Sequence, residues 1–442
     1  MPFKQKLKLV IACVFAGLLL AAAIAFYVFR YEIGFLQNSK AGLDARTKCD
    51  FLNAEKELLI AADCVEHFSP IDARRYVVNL SLAQMYVATG SFAKANQYIE
   101  RARENAKSNV QNQLTVMSLT AESLYRQAKF DEAAKIYCEM IELAKKNKQT
   151  IFEIDALFAL TKMDVLFLKL AEAEKNIDQI EILQRKLAEP TNASVVLQIY
   201  AALVAEIKGR YKTSLELYEF AERIFEDQEK SSSALKLSIA NNSAAFLLLD
   251  RNTLRAKNMA LRALDNSDKD FESYFAGNLL MALRTVVGVY IAENDTQHAR
   301  QFVDREIAEV AKRLSKEHPM YGRALEHRAL IESREGKKEE SERDFKLCQT
   351  IFESSLGPQN RLSADTLADI ARAQMERGEI SEASETCKRS IAMYKAILPC
   401  DHPSVLNAEF LLSLIYKQQN KPDKAHQLEV EYNEGFGAAD GK

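Results

Sequence analysis

Histidine and cysteine are the residues of this chain whose side chains could bind a metal ion or act as nucleophiles. The sequence has no HExxH motif, no CxxC pair, no Gly-rich phosphate loop and no nucleophile elbow. Its six histidines show no metal-ligand spacing; they are His67, His298, His318, His327, His402 and His426. We therefore expect no enzyme activity, no metal site and no cofactor.

Two of these histidines share a different pattern. His318 and His402 each precede a proline, and Asn360 lies midway between them, 42 residues from either. This placement favours helix capping at equivalent joints over metal binding. Cys348 and Cys387 fall on the inward faces of predicted helices, where cysteine packs as a small apolar residue.

The elements that hold these residues repeat along the chain. From Leu314 to Ala425 the sequence matches itself after a shift of 42 residues. A fixed period of this size is typical of solenoids, in which each unit packs only against its neighbours. Glycine and proline are scarce, at 14 and 8 residues, and no stretch alternates apolar and polar residues over a strand's length. We predict an all-α fold of helix pairs forming one elongated domain.

Small residues at fixed offsets mark the two helices of each unit. Antiparallel helices approach closely only where such side chains lie at the crossing. The turn between the helices is marked by Gly90, Ala128, Leu168, Gly209, Arg251, Asn294, Gly336, Gly378 and Asn420. Five residues later come the second-helix crossing residues Ala95, Ala133, Ala173, Ser214, Ala256, Ala299, Ser341, Ala383 and Ala425. The first-helix crossing residues are Ala83, Ala121, Ala202, Ala244, Ala329 and Ala371.

These features resemble the tetratricopeptide repeat (TPR) family, and the long units are similar to those of the kinesin light chain. The chain departs from the TPR pattern in having no Trp and in placing Arg251 and Asn294 where glycine is usual. HEAT or armadillo repeats have similar periods but do not require the Gly-to-Ala spacing. The resemblance implies an α-solenoid, a right-handed superhelix with about nine TPR-like repeats over residues 76–432.

The resemblance also implies a binding groove lined by first-helix residues. Helical periodicity gives the candidates Leu80, Gln84, Phe158, Lys162, Ile199, Leu203, Asn241, Arg284, Arg323, Glu326, Arg372 and Lys417. The early candidates are mostly apolar and the later ones are charged, with a basic excess. For each of them, core packing or an ordinary solvated face is the alternative role. The basic set that binds chaperone tails is absent, since Met281 and Thr285 stand where basic residues would be needed.

Charge and groove together indicate the class of partner. Lys and Arg number 59 against 62 Asp and Glu, so the chain has no electrostatic footprint for nucleic acid. The resemblance implies a scaffold that binds a protein or peptide partner in its groove. Two alternatives are a regulatory or sensory subunit that binds a signal peptide, and a secreted soluble carrier.

The amino-terminal sequence predicts a membrane anchor. Residues 1–8 hold three lysines, and residues 9–29 form an uncharged apolar run long enough to cross a hydrocarbon core of about 30 Å. The alternative is a signal peptide that is cleaved after Ala25. The lysines close to the span predict a cytoplasmic amino terminus with the repeats outside the cytoplasm, and cytoplasmic repeats are the alternative.

Two segments flank the clear repeats. Residues 30–75 are either a helical stalk or a degenerate first repeat. In the second case Ala41, Gly42 and Ala45 would lie in its first helix, with Ala54, Leu58 and Ala61 in its second. Residues 433–442 are polar and Gly-rich, and we predict a flexible tail there.

Overall fold

The computed structural model describes residues 26–187, 192–226, 233–249, 252–265 and 277–439, and within them the chain is all-α. Twenty helices lie in these residues, and each odd-numbered helix pairs with the next. They are α1 (26–47), α2 (Phe51–Glu66), α3 (Ala73–Ala88), α4 (Phe92–Ala106), α5 (Val110–Arg126), α6 (Phe130–Lys146), α7 (Thr150–Leu166), α8 (Leu170–Gln184), α9 (Asn192–Ile207), α10 (Tyr211–Glu226), α11 (Ser233–Leu249), α12 (Thr253–Leu264), α13 (Asn278–Ala292), α14 (Thr296–Arg313), α15 (Pro319–Arg334), α16 (Lys338–Leu356), α17 (Arg361–Glu376), α18 (Ile380–Ile397), α19 (Pro403–Gln418) and α20 (Pro422–Ala439).

A left-handed residue closes the turn inside each helix pair. The angle φ lies between 54° and 79° at every turn marker that the structure describes; Arg251 lies outside the described residues. The N–H of the following residue then bonds a carbonyl near the helix end, as Glu379 does with Gln374 at 2.9 Å. Glycine adopts this conformation without strain, whereas Ala128 and Leu168 adopt it at a cost of about 1–2 kcal/mol each.

The small crossing residues are buried where the two helices of each pair meet. All fifteen alanines and serines of the two series are at most 1% exposed. Where serine replaces alanine, its hydroxyl has a partner in the first helix. Ser214 Oγ donates to the Ala202 carbonyl at 2.9 Å, and Ser341 Oγ donates to the Ala329 carbonyl at 2.8 Å. The hydroxyl is therefore accommodated without an unsatisfied buried group.

We expect Ala383→Leu to lower the free energy of unfolding by about 1–3 kcal/mol, because the larger side chain must enter a filled crossing. Ala383 is fully buried in a cluster with Ala371 and Tyr394. Glu385→Leu, at an exposed site on the same helix, is the control and should change stability by less than about 0.5 kcal/mol. Urea denaturation measures the unfolding free energy of both variants. Equal losses would contradict the placement of Ala383 at the helix crossing.

Residues 26–66 form a helix pair with the turn geometry of the repeats. Cys49 holds the left-handed position with φ 58°, and Ala54, five residues later, is fully buried. Gly42 allows α1 and α2 to approach closely, since a Cβ there would lie 2.7 Å from Leu58 Cγ. This segment therefore has the geometry of a repeat rather than of a single helical stalk.

The structure describes only the last four residues of the apolar run at the amino terminus. Of residues 9–29, only 26–29 belong to the described residues, where they begin α1. Among the helices that the structure describes, none combines the length and the apolar character needed to cross a membrane.

The last helix is longer than the sequence indicated. Helix α20 continues to Ala439, so residues 433–439 are helical, and the flexibility of residues 433–442 stays a prediction. Gly435 and Gly437 each weaken a helix by about 1 kcal/mol, but no proline follows Pro422 to end it.

The contacts divide the chain into two compact units, which meet in the sequence between Leu119 and Thr120. They are called here the amino-terminal unit and the carboxyl-terminal unit. The boundary falls within helix α5, and neither a loop nor a change of composition marks it in the sequence.

Candidate functional site

The carboxyl-terminal unit folds back on itself, so that turns early in this unit contact joints late in it. The Ser315 N–H donates to the Arg126 carbonyl at 3.0 Å, close to the turn at Ala128. His402 Nε2 bonds the carbonyl of Ile207, which lies 195 residues earlier in the chain. The prediction that each repeat packs only against its neighbours is therefore wrong for this unit.

Two packing contacts extend the same arrangement. Gly209 lies so close to Pro403 that a Cβ at position 209 would overlap the proline ring. Leu168, the turn marker between those of residues 128 and 209, packs against the buried cluster that contains Ala364 and Val405. These two contacts and the two hydrogen bonds of Ser315 and His402 are called the fold-back contacts below.

Side-chain caps fix the joints that take part in the fold-back. His318 Nδ1 accepts a hydrogen bond from the Met320 N–H at 3.1 Å. His402 Nδ1 accepts one from the Ser404 N–H at 3.0 Å, and the Asn360 side chain caps the joint between them. The capping role predicted for the two histidines is confirmed.

Capping also sets the charge of these histidines. Because Nδ1 accepts, the ring is neutral and its proton lies on Nε2. In His402 this proton is donated to the Ile207 carbonyl. Burial lowers the pKa of His402, and the bond to Ile207 opposes only part of that shift. The fold-back contact at this joint therefore involves a neutral imidazole.

The His318 ring is more deeply buried than the His402 ring and has fewer hydrogen-bond partners. It is 1% exposed and lies against Tyr125 and Phe130, with ring centroids 5.3 Å and 5.8 Å away. Among the described residues, Nε2 has no hydrogen-bond partner. Burial, reinforced by the positive charges of Lys162 and Arg126, lowers the pKa of His318 to about 3. The ring is therefore neutral at every physiological pH.

First helices of the carboxyl-terminal unit carry charged side chains that shift one another's pKa or bond directly. Arg323 lies at the centre of this group and donates to Glu326 at 2.5 Å and to Asp365 at 2.9 Å. Tyr394 donates its hydroxyl to Asp365 at 2.5 Å, and Thr366 donates its hydroxyl to Glu326 at 2.5 Å. The charge of Arg323 is therefore fully used within the protein. The whole group, called the inner cluster, consists of Glu206, Arg284, Arg323, Glu326, Arg361 and Asp365.

The other three members of the inner cluster have no such partners. Within the described ranges, Arg284, Arg361 and Glu206 make neither a hydrogen bond nor an ion pair, although all three are half-buried. Burial raises the pKa of Glu206, and the charges of Arg361 and Arg284 offset part of that shift. Burial, and then the neighbouring Arg323, lower the pKa of Arg284. The carboxylates of Glu306 and Glu206 oppose this shift, so Arg284 lies near two carboxylates without a direct hydrogen bond to either.

Aromatic side chains lie on the adjoining first helices. The Lys162 ammonium lies 3.7 Å from the centroid of the Tyr125 ring, and Phe158 stacks on Tyr200 at 5.6 Å. These four residues are called the aromatic cluster. Helix α9 carries both Tyr200 and Glu206, so it connects the aromatic cluster to the inner cluster.

Three of the predicted groove residues make packing contacts with neighbouring helices. Asn241 is fully buried and donates to the Asn278 carbonyl at 3.0 Å. Ile199 belongs to a buried apolar cluster, and Leu203 packs against that cluster. These three residues join neighbouring helices, because the inner ends of first helices are also where successive repeats touch. Their groove role stays a prediction.

The remaining candidates lie elsewhere. Leu80 and Gln84 belong to the amino-terminal unit, where Gln84 accepts a hydrogen bond from Arg46 at 2.7 Å. Arg372 and Lys417 are exposed and form ion pairs with Asp369 and Glu429. No three His, Cys, Asp or Glu side chains within the described part of the chain are grouped so as to hold a metal ion.

Sequence reasoning missed Glu206, Arg361, Asp365, Tyr125 and Tyr200. Arg361 is the first residue of its helix, where a cap rather than a groove position is expected. Glu206 lies just before the Gly209 turn and reaches the inner cluster through the fold-back contacts. Periodicity within one repeat carries no signal for contacts between distant repeats.

No protein-family model and no curated protein matches this chain. Solved structures of TPR-repeat proteins are similar to it. Nearly identical TPR-like repeats of a putative kinesin light chain from Podosopora anserina share 19% identity over 47% of this chain and 98% of their own, with a TM-score of 0.35. A Rap protein complexed with competence and sporulation factor shares 12% identity over 82% of this chain and 98% of its own, with a TM-score of 0.47. A tetratricopeptide repeat protein from Parabacteroides merdae shares 18% identity over 64% of this chain and 92% of its own, with a TM-score of 0.35. The architecture described above rests on the contacts within this chain.

Proposed function

We propose that this chain is a binding protein without chemistry of its own. In this proposal, the first-helix surface of the carboxyl-terminal unit holds a peptide segment of a partner protein. Grooves lined by helices offer peptides apolar anchors together with a few fixed polar groups. The aromatic cluster supplies the apolar anchors, and the inner cluster supplies the fixed polar groups.

One observation supports this proposal above the others. Arg284 and Arg361 are half-buried cations that lack a direct partner within the described residues, and the adjacent Arg323 is fully paired. Their guanidinium donors are therefore available to a peptide that pairs with them, as guanidiniums do with carboxylates and carbonyls.

Selection of random twelve-residue peptides on the full-length chain tests this proposal. A bound peptide should reduce acetylation of Lys162, which lies in the aromatic cluster, when the labelled lysines are quantified by mass spectrometry. Lys257 is the control, since it pairs with Glu293 at 2.7 Å on a second helix and should be labelled equally with and without peptide. Binding that leaves Lys162 labelling unchanged would place the ligand elsewhere and contradict the proposal.

We also propose that residues 9–29 anchor the protein in a membrane, with the repeats outside the cytoplasm in a TPR-type superhelix. The uncharged apolar run and the three lysines in front of it support this. Protease added to intact spheroplasts should then cut the repeats. Repeats that survive while an outward-facing control is cut would show the opposite orientation, and a mature terminus at Phe26 would show cleavage.

The fold-back contacts favour a second candidate, a regulatory subunit that changes shape on binding a signal peptide. In this second candidate, the peptide separates the early turns from the late joints when it binds. Binding that breaks the Ser315–Arg126 bond would support regulation. Binding with that bond intact would support a passive scaffold.

A further inference from the structure

The first helix carries an apolar stripe on its outer side. Phe26, Phe29, Ile33 and Leu36 follow one another at intervals of three or four residues, so they share one face of α1. These four side chains, called the α1 stripe below, are between 36% and 71% exposed. In the carboxyl-terminal unit, by contrast, the exposed large apolar side chains that the structure describes occur one to a helix, which is ordinary for a protein surface.

The α1 stripe points away from the rest of its unit. The packed side of α1 carries Phe35, which is buried with its ring 6.0 Å from that of Phe68, and Gly42, which lies against Leu58. At about 100° per residue, Phe35 and Gly42 lie on the other side of the helix from the stripe. The α1 stripe is therefore available to a partner outside this chain.

Lipid tails do not reach the end of this stripe. With residues 9–29 across the membrane, as proposed above, the apolar run measures about 31 Å as a helix, against a hydrocarbon core of about 30 Å. Helix α1 continues without a break from residue 26 to residue 47, so Leu36 lies about 10 Å beyond Phe29 along the helix axis. Leu36 is thus outside the hydrocarbon core, and a partner that covers the whole stripe has to be a protein.

The anchor favours a second copy of this chain as that protein. Two copies with the same orientation present their α1 helices in parallel and at the same height above the bilayer, so each stripe residue meets its own counterpart. Intervals of three and four residues are also those of the seam between two paired helices. Lys40 takes the next position on this face and ends the stripe, because two of its charges would repel each other there.

The sequence of the apolar run also favours a helix partner over lipid. Small residues recur at every fourth position of the run, and small side chains at this spacing let two membrane helices approach closely. Phe29 and Ile33 continue the same series into the α1 stripe. The small members of the series, which lie outside the described residues, are Cys13, Gly17, Ala21 and Ala25.

We propose that the protein forms a parallel dimer in the membrane, in which the α1 stripes of two copies pack against each other. This inference rests on the proposed membrane anchor and adds a second copy of the chain as partner. A standard interface has about 20–30 residues on each side, so the few residues of the stripe do not hold two copies together in water. Two anchors in one bilayer supply the rest, because they raise the effective concentration of one stripe at the other.

Disulfide formation at position 36 of the full-length protein tests this inference. The protein is placed in phosphatidylcholine vesicles at low density and oxidised with copper phenanthroline, and the dimer is quantified on non-reducing gels. Leu36→Cys should form at least about tenfold more dimer than Leu52→Cys. Leu52 is the matched control, since it is 83% exposed in the same unit but lies in the first turn of α2, at the far end of α1 from the stripe.

Two native thiols are removed from both of these proteins. Cys13→Ala keeps a small residue in the apolar run, and Cys49→Asn keeps a residue that adopts the left-handed turn conformation readily. The remaining cysteines are common to both proteins, so they contribute equally to any background dimer.

A second set of variants tests the packing of the stripe without new thiols. Ile33→Glu combined with Leu36→Glu should lower the co-capture of two differently tagged full-length copies at least about tenfold, because like charges would then face one another. Leu52→Glu should leave co-capture unchanged. Glutamate is chosen because it has little influence on membrane orientation. Thermal unfolding establishes that each variant is folded.

The outcomes separate this inference from the proposed anchor. Equal dimer formation at positions 36 and 52, in protein that carbonate does not extract from the vesicles, would overturn the dimer and leave the anchor standing. If the Leu36→Cys thiol in that protein also resists a water-soluble maleimide, lipid covers the stripe instead of a second copy. Extraction by carbonate would contradict the anchor itself, and the dimer that rests on it.

Discussion

Lowering the pH from 7 to 5 is expected to remove roughly 2 kcal/mol of stability from the carboxyl-terminal unit through His318 alone. The pKa of His318 is about 3 in the folded protein, and that of an unfolded histidine is about 6.5. Below pH 6.5 the unfolded chain therefore binds a proton that the folded chain does not bind. The stabilisation is complete above pH 6.5 and is lost as the pH falls towards 3.

Asn360, the capping residue at the joint between His318 and His402, suggests the control variant for this prediction. Asn360 caps its helix as the histidines do but does not titrate, so His318→Asn retains a cap and removes the proton. Urea unfolding at pH 7 and pH 5 should show a loss in His318→Asn that is smaller than the wild-type loss by roughly 2 kcal/mol. All other titrating groups, including Lys162 and Arg126 beside the ring, remain the same in both proteins. Equal acid losses would mean that His318 is not buried in this way.

Gly209→Ala is expected to cost about 2–5 kcal/mol of unfolding free energy, because two effects combine at this residue. Its φ is +74°, which costs an alanine about 1–2 kcal/mol. The added methyl group would also overlap the ring of Pro403, and overpacking typically costs a further 1–3 kcal/mol or so. The second effect exists only if the turn at Gly209 contacts the late joint.

Gly378→Ala separates the two effects. Gly378 holds the same turn position with φ +79°, but nothing lies within 4 Å of the Cβ that alanine would add. This variant should therefore lose only the conformational part, about 1–2 kcal/mol. Gly209→Ala should be the less stable of the two in urea denaturation by about 1–3 kcal/mol. Equal losses would show that Gly209 does not touch Pro403 in solution.

The local structure of each repeat could be predicted from the sequence because it depends on residues close together in the chain. The turn markers, the small residues at the helix crossings and the caps at His318 and His402 follow from backbone geometry and helical period. Cys348 and Cys387 are fully buried, as their inward positions predicted. These features all act within one helix pair or between adjacent helices.

The fold-back contacts could not be predicted in this way. They join Arg126 to Ser315 and Ile207 to His402, and these residues belong to repeats that lie far apart in the chain. The small angle between successive helix pairs decides whether such residues meet, and it is set by many packing contacts at once. Glu206 is the member of the inner cluster that an early repeat supplies, and for that reason it was not among the candidates.

Hydrogen exchange at the Ser315 amide tests the closed arrangement of the carboxyl-terminal unit most directly. The neighbouring Leu314 N–H bonds Val310 within helix α14, whereas the Ser315 N–H bonds Arg126 across the fold-back. If the unit is closed, both amides should exchange at least about a hundredfold more slowly than in an unfolded chain. Exchange of Ser315 at the unfolded rate, with Leu314 still protected, would contradict the fold-back.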